Sequence, residues 1–170
     1  MKKILLVPDP ILRQKSIALE RVTEDDINLS KQMIEIMKKA PGVGLAANQI
    51  GILKQIITVH IQDKEKQIDN IYSLFNPVII KFSKKKIFME EGCLSLPEQF
   101  ADIERSESIT VRYLNEKNKI IEEKKNGLES RILQHEIDHL SGKLFVNYLS
   151  SLKRNILIKK VKKLQNTKNR

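Results

Sequence analysis

At 170 residues and 19.7 kDa the chain is one domain's worth, long enough to bury roughly 70% of its extended surface without covalent staples. Its 41% apolar and 31% charged residues, with 6 Gly and 5 Pro, exclude a collagen-like, linker-like or wholly disordered chain. The longest uncharged stretch, Ala40 to Leu53, contains Asn48 and Gln49 and falls short of the ~20 apolar residues that a bilayer demands, so no membrane partner is expected. The net charge of +10 is lopsided: the chain is close to neutral through Asp138, and beyond it there are nine Lys or Arg and no acid. Such a tail suits an acidic partner, nucleic acid above all, or else is a solvated face in a lysine-rich chain.

Ile4-Leu5-Leu6-Val7 follows two lysines in the manner of a secretory leader. The run stops at Pro8-Asp9, below the ~7–15 residues of a signal core, so a short buried strand is predicted instead. Thr23 and Asp26 have capping-box spacing, and Leu29, Met33, Ile36 and Ala40 recur at i, i+4, i+7 and i+11. That pattern predicts an amphipathic helix stopped by Pro41-Gly42. A glycine-rich loop follows, then a β-branched strand over 55–61. Further strands are expected at 73–75, 78–82, 86–89 and 109–114, with breaks at Asn76-Pro77 and Glu116-Lys117-Asn118. Helical period returns from Gly127 to Ser141, and Gly142 stands where a left-handed stop belongs. One more strand and a basic helix from about Ser150 to Gln165 complete the order. The expectation is an α+β domain with mostly antiparallel sheets over 1–149, carrying a basic helix over 150–170 that is not a domain of its own.

The strongest chemical signal is His135-Glu136-Ile137-Asp138-His139. Residues four apart share a helix face with Cβ atoms ~6 Å apart, so both imidazoles can bind one cation. Glu136 lies ~100° around the helix, where a base acting on a water at that cation belongs. About 0.004 such patterns are expected by chance in a chain of this composition. Catalytic centres of this kind take three protein ligands, and nothing after His139 can supply the third. It must come from upstream, from His60 or from Cys93. His60 sits alone in an apolar strand and reads as structural. Cys93 is the sole cysteine, so it forms no internal disulfide, and a reducing, cytoplasmic location follows. Gly92 before it permits an unusual turn, and the Leu94 N–H would lie beside whatever the metal polarises. In Gly42-Val43-Gly44-Leu45-Ala46-Ala47-Asn48-Gln49 the small residues allow close backbone approach, and Gln49 offers an amide donor to a developing oxyanion.

Together, Gly42–Gln49, Glu91-Gly92-Cys93-Leu94-Ser95 and His135–His139 resemble the three signature motifs of the peptide deformylases, in the family's order. The similarity runs from Pro8 to Leu149. The resemblance implies removal of the formyl group from N-formylmethionyl nascent peptides, with release of formate. It implies Cys93, His135 and His139 as ligands of one divalent metal, Fe2+ in the cell, with Zn2+, Ni2+ or Co2+ able to replace it. Glu136 would be general base and then acid, with Gln49 and the Leu94 N–H at the oxyanion. Val43, Leu128 and Ile132 would line the methionine slot, and Gly44 and the Glu91 backbone would pair with the substrate in strand fashion. The sheets would then pack around a central metal-binding helix. Many relatives carry Arg where this chain has Phe100 and Asp where it has Asn147, which bears on contacts to the second and third substrate residues. Asp138 and Arg105 could form an ion pair behind the helix. In bacterial members the C-terminal helix docks on the ribosome near the exit tunnel, which would use Lys159, Lys162 and Lys163. A monomer is expected. Two rivals share features: a zincin-type peptidase has the histidine helix but leaves Cys93 and the glycine loop unexplained. A non-catalytic RNA-binding protein with a structural metal explains the tail but needs a fourth ligand.

Overall fold

The computed structural model describes residues 2–168; Met1, Asn169 and Arg170, the last of which belongs to the basic tail, lie outside the described residues. In chain order come α1 (Glu24–Lys39), β1 (Gly44–Ala46), β2 (Ile56–Asp63), β3 (Ile68–Phe82), β4 (Lys86–Cys93), β5 (Leu96–Ser106), β6 (Ser108–Leu114), β7 (Ile120–Asn126), α2 (Gly127–Leu140) and α3 (Ser151–Lys168). Strands β1-β2-β3-β6-β7 form one antiparallel sheet, and β4 and β5 form a separate antiparallel pair.

The five-stranded sheet is covered on both faces, and the alternation of its side chains assigns each face to a helix. Leu45, Ile56 and Phe75 pack with Met33, Ile36 and Met37 of α1. Their neighbours Ala46, Ile57 and Leu74 turn the other way, onto Ile132, Leu133 and Leu140 of α2. This explains why β2 reads as a continuous apolar run rather than an alternating one. α2 therefore lies at the centre of the molecule, with the β4–β5 hairpin on its far side. Arg131 of α2 ties that hairpin down by donating to the carbonyls of Ile87 (2.6 Å) and Ile103 (2.9 Å). A third core joins Val7, Leu96, Ile103, Phe145 and Val161, so α3 packs onto the body through the fully buried Val161.

The helix start is as expected: Thr23 and Asp26 form a reciprocal capping box. Several strand expectations need correction. Asn76-Pro77 does not end a strand. β3 runs straight through it as a bulge, because Asn76 adopts φ +50° and its side chain clamps both the N–H (2.8 Å) and C=O (2.7 Å) of Leu19. Ile4–Val7 is not a ladder strand; Leu5 and Val7 instead donate singly to the carbonyls of Gln49 (2.7 Å) and Ser95 (3.0 Å). The strand expected between α2 and α3 is a 3-10 turn at Phe145–Tyr148. Strands β1, β5 and β7 had no counterpart in the pattern. β5 and β7 carry charges at their exposed positions, and β1 is only three residues long. Gly142 does close α2 in the left-handed region, at φ +71°. A Cβ there would also lie 2.2 Å from the Arg13 carbonyl oxygen.

Candidate active site and metal centre

Three donor atoms from two elements converge beneath a cleft. His135 and His139, one turn apart on α2, bring their Nε2 atoms to 3.2 Å, and Cys93 Sγ at the end of β4 lies 3.3 Å from His139 Nε2. All three donors lie within 4.8 Å of one another. Ligands at ordinary metal–N and metal–S lengths in a tetrahedron are ~3.3–3.6 Å apart, so the trio fits one ion. A thiolate and two imidazoles suit a borderline transition metal rather than Mg2+ or Ca2+. His60 is not part of this group; its ring pairs with Asp69 at 2.6 Å on β3.

The imidazoles are held by what surrounds them. His135 Nδ1–H donates to Glu91 Oε2 (3.0 Å), which fixes the tautomer that leaves Nε2 free to ligate. Phe145 stacks beside that ring. Glu91 in turn accepts two bonds from Arg105 (2.8 and 3.0 Å) and one from Arg131 (2.8 Å). Burial would raise the Glu91 carboxyl, but the bonds from His135 and Arg105 outweigh it and hold the group at about 2. Arg105 continues to Asp138 (2.6 Å), the pairing expected from sequence, and Tyr148 closes the chain by donating to Asp138 (2.8 Å). Burial, and then the His135 ring, push His139 well below the usual histidine range, leaving it the neutral base a cation needs. His135 is pulled the other way, since Cys93 and Glu91 outweigh its burial; the proton it holds is one that a cation displaces.

Glu136 points from α2 towards β1. Burial lifts its carboxyl to about 7, with His135 opposing, and a cation at the triad draws it back towards ionisation. Its Oε2 is buried without a partner among the described residues, an uncompensated acceptor of the kind that active sites retain. Gly44 explains how it fits: a Cβ there would stand 2.2 Å from Glu136 Oε1. Gln49 is pinned by accepting the Ala46 N–H (2.9 Å), which aims its amide at Ser95 Oγ (3.1 Å) and, at a longer 3.6 Å, at Cys93 Sγ.

Above these groups lies a cleft of about 390 Å³. The expected residues Val43, Gly44, Leu94, Leu128 and Ile132 line it, as do Glu91 and Gln49. Val43 and Leu128 are about half exposed at its mouth, whereas Ile132 is buried. Among the described residues β1 is the edge of its sheet and β4 pairs only with β5, so two strand edges flank the cleft with Val43–Gly44 on one side and Glu90–Gly92 on the other.

A peptide-sized slot between two free edges, floored by a Cys-His-His triad with a carboxylate beside it, directs the comparison with known proteins. The family model described as Polypeptide deformylase matches residues 1–155. The chain belongs to this family. The curated peptide deformylase of Rhizobium meliloti is 39% identical over 99% of this chain and 96% of its own. The crystal structure of the Ehrlichia chaffeensis peptide deformylase superposes with a TM-score of 0.95 at 36% identity, covering 100% and 99% of the two chains. A Met-Ala-Ser-bound peptide deformylase from Acinetobacter baumannii superposes at 0.82, with 31% identity over 88% and 98%. Membership makes the chain a metal-dependent hydrolase.

Sequence reasoning assigned Glu91 for its backbone only and missed its side chain as the brace of His135. Arg131 was missed altogether, although it stands four residues before His135 on the same helix face. Lys159, Lys162 and Lys163 are exposed on α3, outside the cleft. Asn147 accepts from Arg13 (2.6 Å) and from the Leu144 N–H (2.9 Å), which ties the Phe145–Tyr148 turn to the N-terminal segment.

Proposed function

We propose that Cys93, His135 and His139 hold one divalent metal, Fe2+ in the cell, and that the cleft presents N-formylmethionyl nascent chains to it. The chain's reaction is the family's, hydrolysis of the formyl amide. The observation that carries the site assignment is the convergence of three donor atoms beside the buried, partner-free oxygen of Glu136. When bound, the metal supplies Lewis acidity and lowers the pKa of a water at the site. Glu136 takes the proton of the attacking water and returns it to the departing amine nitrogen. Burial raises its pKa and a cation at the triad lowers it again, and the balance of the two suits a group that both accepts and releases a proton. Gln49 Nε2–H and the Leu94 N–H donate to the formyl oxygen as charge develops there, each worth about 3 kcal/mol of barrier.

The substrate extends between the free edges of β1 and β4 in strand fashion, using Val43–Gly44 and the Glu91 backbone, so alternate side chains face opposite walls. Leu128, Ile132 and Val43 take the methionine, with a preference of ~1–3 kcal/mol per methylene. The Acinetobacter relative with Met-Ala-Ser bound supports a methionine-first tripeptide as the probe. Formate release from formyl-Met-Ala-Ser, on protein prepared without oxygen, tests the reading. Loss of activity in air, in step with loss of bound iron, tests the ferrous assignment, because a thiolate beside Fe2+ is open to oxidation.

We assign α3 to the ribosome. Leu157, Ile158 and Val161 face the body and Leu164 is half-buried, which leaves Lys159, Lys162 and Lys163 exposed towards rRNA phosphates. Because Val161 is part of the core, α3 serves as an appendage of the catalytic unit rather than a separate domain, and deleting it would disturb the fold. Charge reversal is the cleaner test. Lys→Glu at the three positions should weaken ribosome binding and lower the salt slope by roughly 2 to 3; unchanged binding would refute the assignment. A cytoplasmic monomer completes the reading, and light scattering at working concentration checks the oligomeric state.

A further inference from the structure

Among the described residues, four buried side-chain polar atoms have no hydrogen-bond partner: Glu136 Oε2, Ser16 Oγ, Asn48 Oδ1 and His139 Nδ1. The proton transfer assigned to Glu136 accounts for the first. The other three belong to residues that do not line the cleft and that gather instead at the last turn of α2. Asn48 Nδ2 donates to the His139 carbonyl at 2.5 Å, and the Ser16 N–H donates to the adjacent Leu140 carbonyl at 2.8 Å. Ser16, Asn48 and His139 are each no more than 2% exposed, so bulk solvent does not satisfy them.

Their donor and acceptor roles are fixed. Only the amide nitrogen of Asn48 can face a carbonyl, which leaves its oxygen as an unused acceptor. His139 Nε2 lies 3.3 Å from Cys93 Sγ and 3.2 Å from His135 Nε2, so it is the ligand atom and the proton of the neutral ring sits on Nδ1. His135 gives its equivalent proton to Glu91, whereas no described residue takes that of His139. A metal-binding histidine almost always donates its other ring N–H to a carboxylate, a carbonyl or a water. One water accounts for all three atoms. It accepts from His139 Nδ1–H and Ser16 Oγ–H and donates to Asn48 Oδ1, which is the usual count of about three bonds for an internal water.

Resting on the metal assignment above, we propose that Asn48 and Ser16 are positioning residues for His139, holding one internal water that accepts the His139 Nδ1–H. The two imidazole ligands are then oriented by different means: an anion braces His135, and a neutral relay braces His139. Asn48 directly precedes Gln49 in the 3-10 turn Ala47–Ile50, so one short element orients a metal ligand and aims the amide assigned to the oxyanion.

The test uses the Zn2+-loaded full chain, Ser16→Ala and Asn48→Leu, variants that leave the three ligands and Glu136 in place. By proton NMR the wild type should show two slowly exchanging ring N–H resonances. In each variant the His139 resonance should shift and exchange faster, while that of His135, held by Glu91, stays where it is. Chelator competition, at a temperature where each variant is folded, should show Zn2+ affinity lower by about 10-fold for Asn48→Leu, the low end for groups that orient a ligand. Ser16→Ala should lose less, because Asn48 still holds the water. It removes one oxygen and keeps the backbone bond to Leu140, so it reports even if Asn48→Leu does not fold. A crystal structure of the Zn2+-loaded wild type should place a solvent atom within hydrogen-bond distance of His139 Nδ1 and Asn48 Oδ1. A lower Tm with the His139 resonance and Zn2+ affinity unchanged, or no solvent atom at that position, overturns the inference. A wild type that binds no Zn2+ overturns the metal assignment as well, which distinguishes the two failures.

Discussion

Glu91→Gln keeps the shape of a side chain whose two oxygens accept four bonds and balance two buried guanidiniums. The amide has one oxygen. If its NH2 replaces Oε2, it faces the His135 Nδ1–H and an Arg105 N–H; if it replaces Oε1, it faces Arg105 Nε–H and Arg131. In either orientation two donors are orphaned in a site where Glu91 and Arg105 are about 5% exposed. Breaking a buried pair from one side costs about 3–5 kcal/mol. At 2–4 °C per kcal/mol for a chain of this size, the loss is roughly 6–20 °C in Tm. Arg105 retains Asp138 and Arg131 retains its carbonyls, which places the loss towards the lower end. The second effect is specific to this site: without a carboxylate to orient its ring, His135 should lose metal affinity by about 10- to 100-fold. Thermal melting of the metal-saturated protein and competition against a chelator at a temperature where the variant is folded separate the two. Asp138→Asn is the control, since it disturbs Arg105 from the other side without touching His135; it should lower Tm by less and leave metal affinity alone. Unchanged affinity in Glu91→Gln would refute the argument that this carboxylate positions the ligand.

Gly44→Ala places a methyl 2.2 Å from Glu136 Oε1 and 2.8 Å from its Cγ, so the carboxyl arm must move; the clash is with a side chain and not with backbone, so the fold and metal content should survive while kcat/KM falls about 100-fold. A variant of near wild-type rate would mean that Glu136 need not sit where it does. Gly142→Ala meets the Arg13 backbone and a positive φ at once, and should lower stability by more than 1 kcal/mol in denaturant unfolding. For Asp26, burial raises the carboxyl, yet bonds from Lys54 (2.6 Å) and Thr23 outweigh it and hold it below its usual value. A depressed carboxylate contributes stability above its unfolded pKa of ~3.9 and loses it as pH falls through the folded value. Asp26→Asn should therefore be less stable than wild type by about 1–2 kcal/mol at pH 7, with the gap closing below about pH 4. A gap independent of pH would contradict the assignment.

The chemistry was more legible than the architecture. His135 and His139 could be read as neighbours because a helix of period 3.6 aligns residues four apart, whereas Cys93, which the structure brings within 4.8 Å of them, was singled out from His60 by the motif resemblance. Helices α1 and α2 announced themselves through their stripes and stops. The sheet was harder for a physical reason. Buried on both faces, β2 was legible only through its β-branched residues, and β7 has apolar residues only at its first two positions, Ile120 and Ile121, so nothing alternates. Asn76-Pro77 carried a turn signal that the structure spends on a bulge, since the Asn76 side chain satisfies Leu19 while β3 continues. Apart from the Arg105–Asp138 pair, contacts between segments distant in sequence left no local trace. Nothing near Gln49 indicates that Leu5 will brace it, and nothing near Glu91 indicates that Arg105, Arg131 and His135 will converge on it. Phe100 was visible as a departure from relatives, but its seat on Gly92 follows only from the strand register.

The central claim is that Glu136 moves the proton for a formyl hydrolysis at the Cys93–His135–His139 centre. Formate release from formyl-Met-Ala-Ser, measured on iron-loaded wild type and on Glu136→Ala with metal content determined for both, tests it directly. The account predicts turnover by the wild type and a loss of at least 100-fold in the variant with its metal still bound, the span of general acid–base catalysis being about 10²–10⁴. Formate release by the metal-loaded variant at the wild-type rate, or none from a metal-loaded wild type, would contradict it.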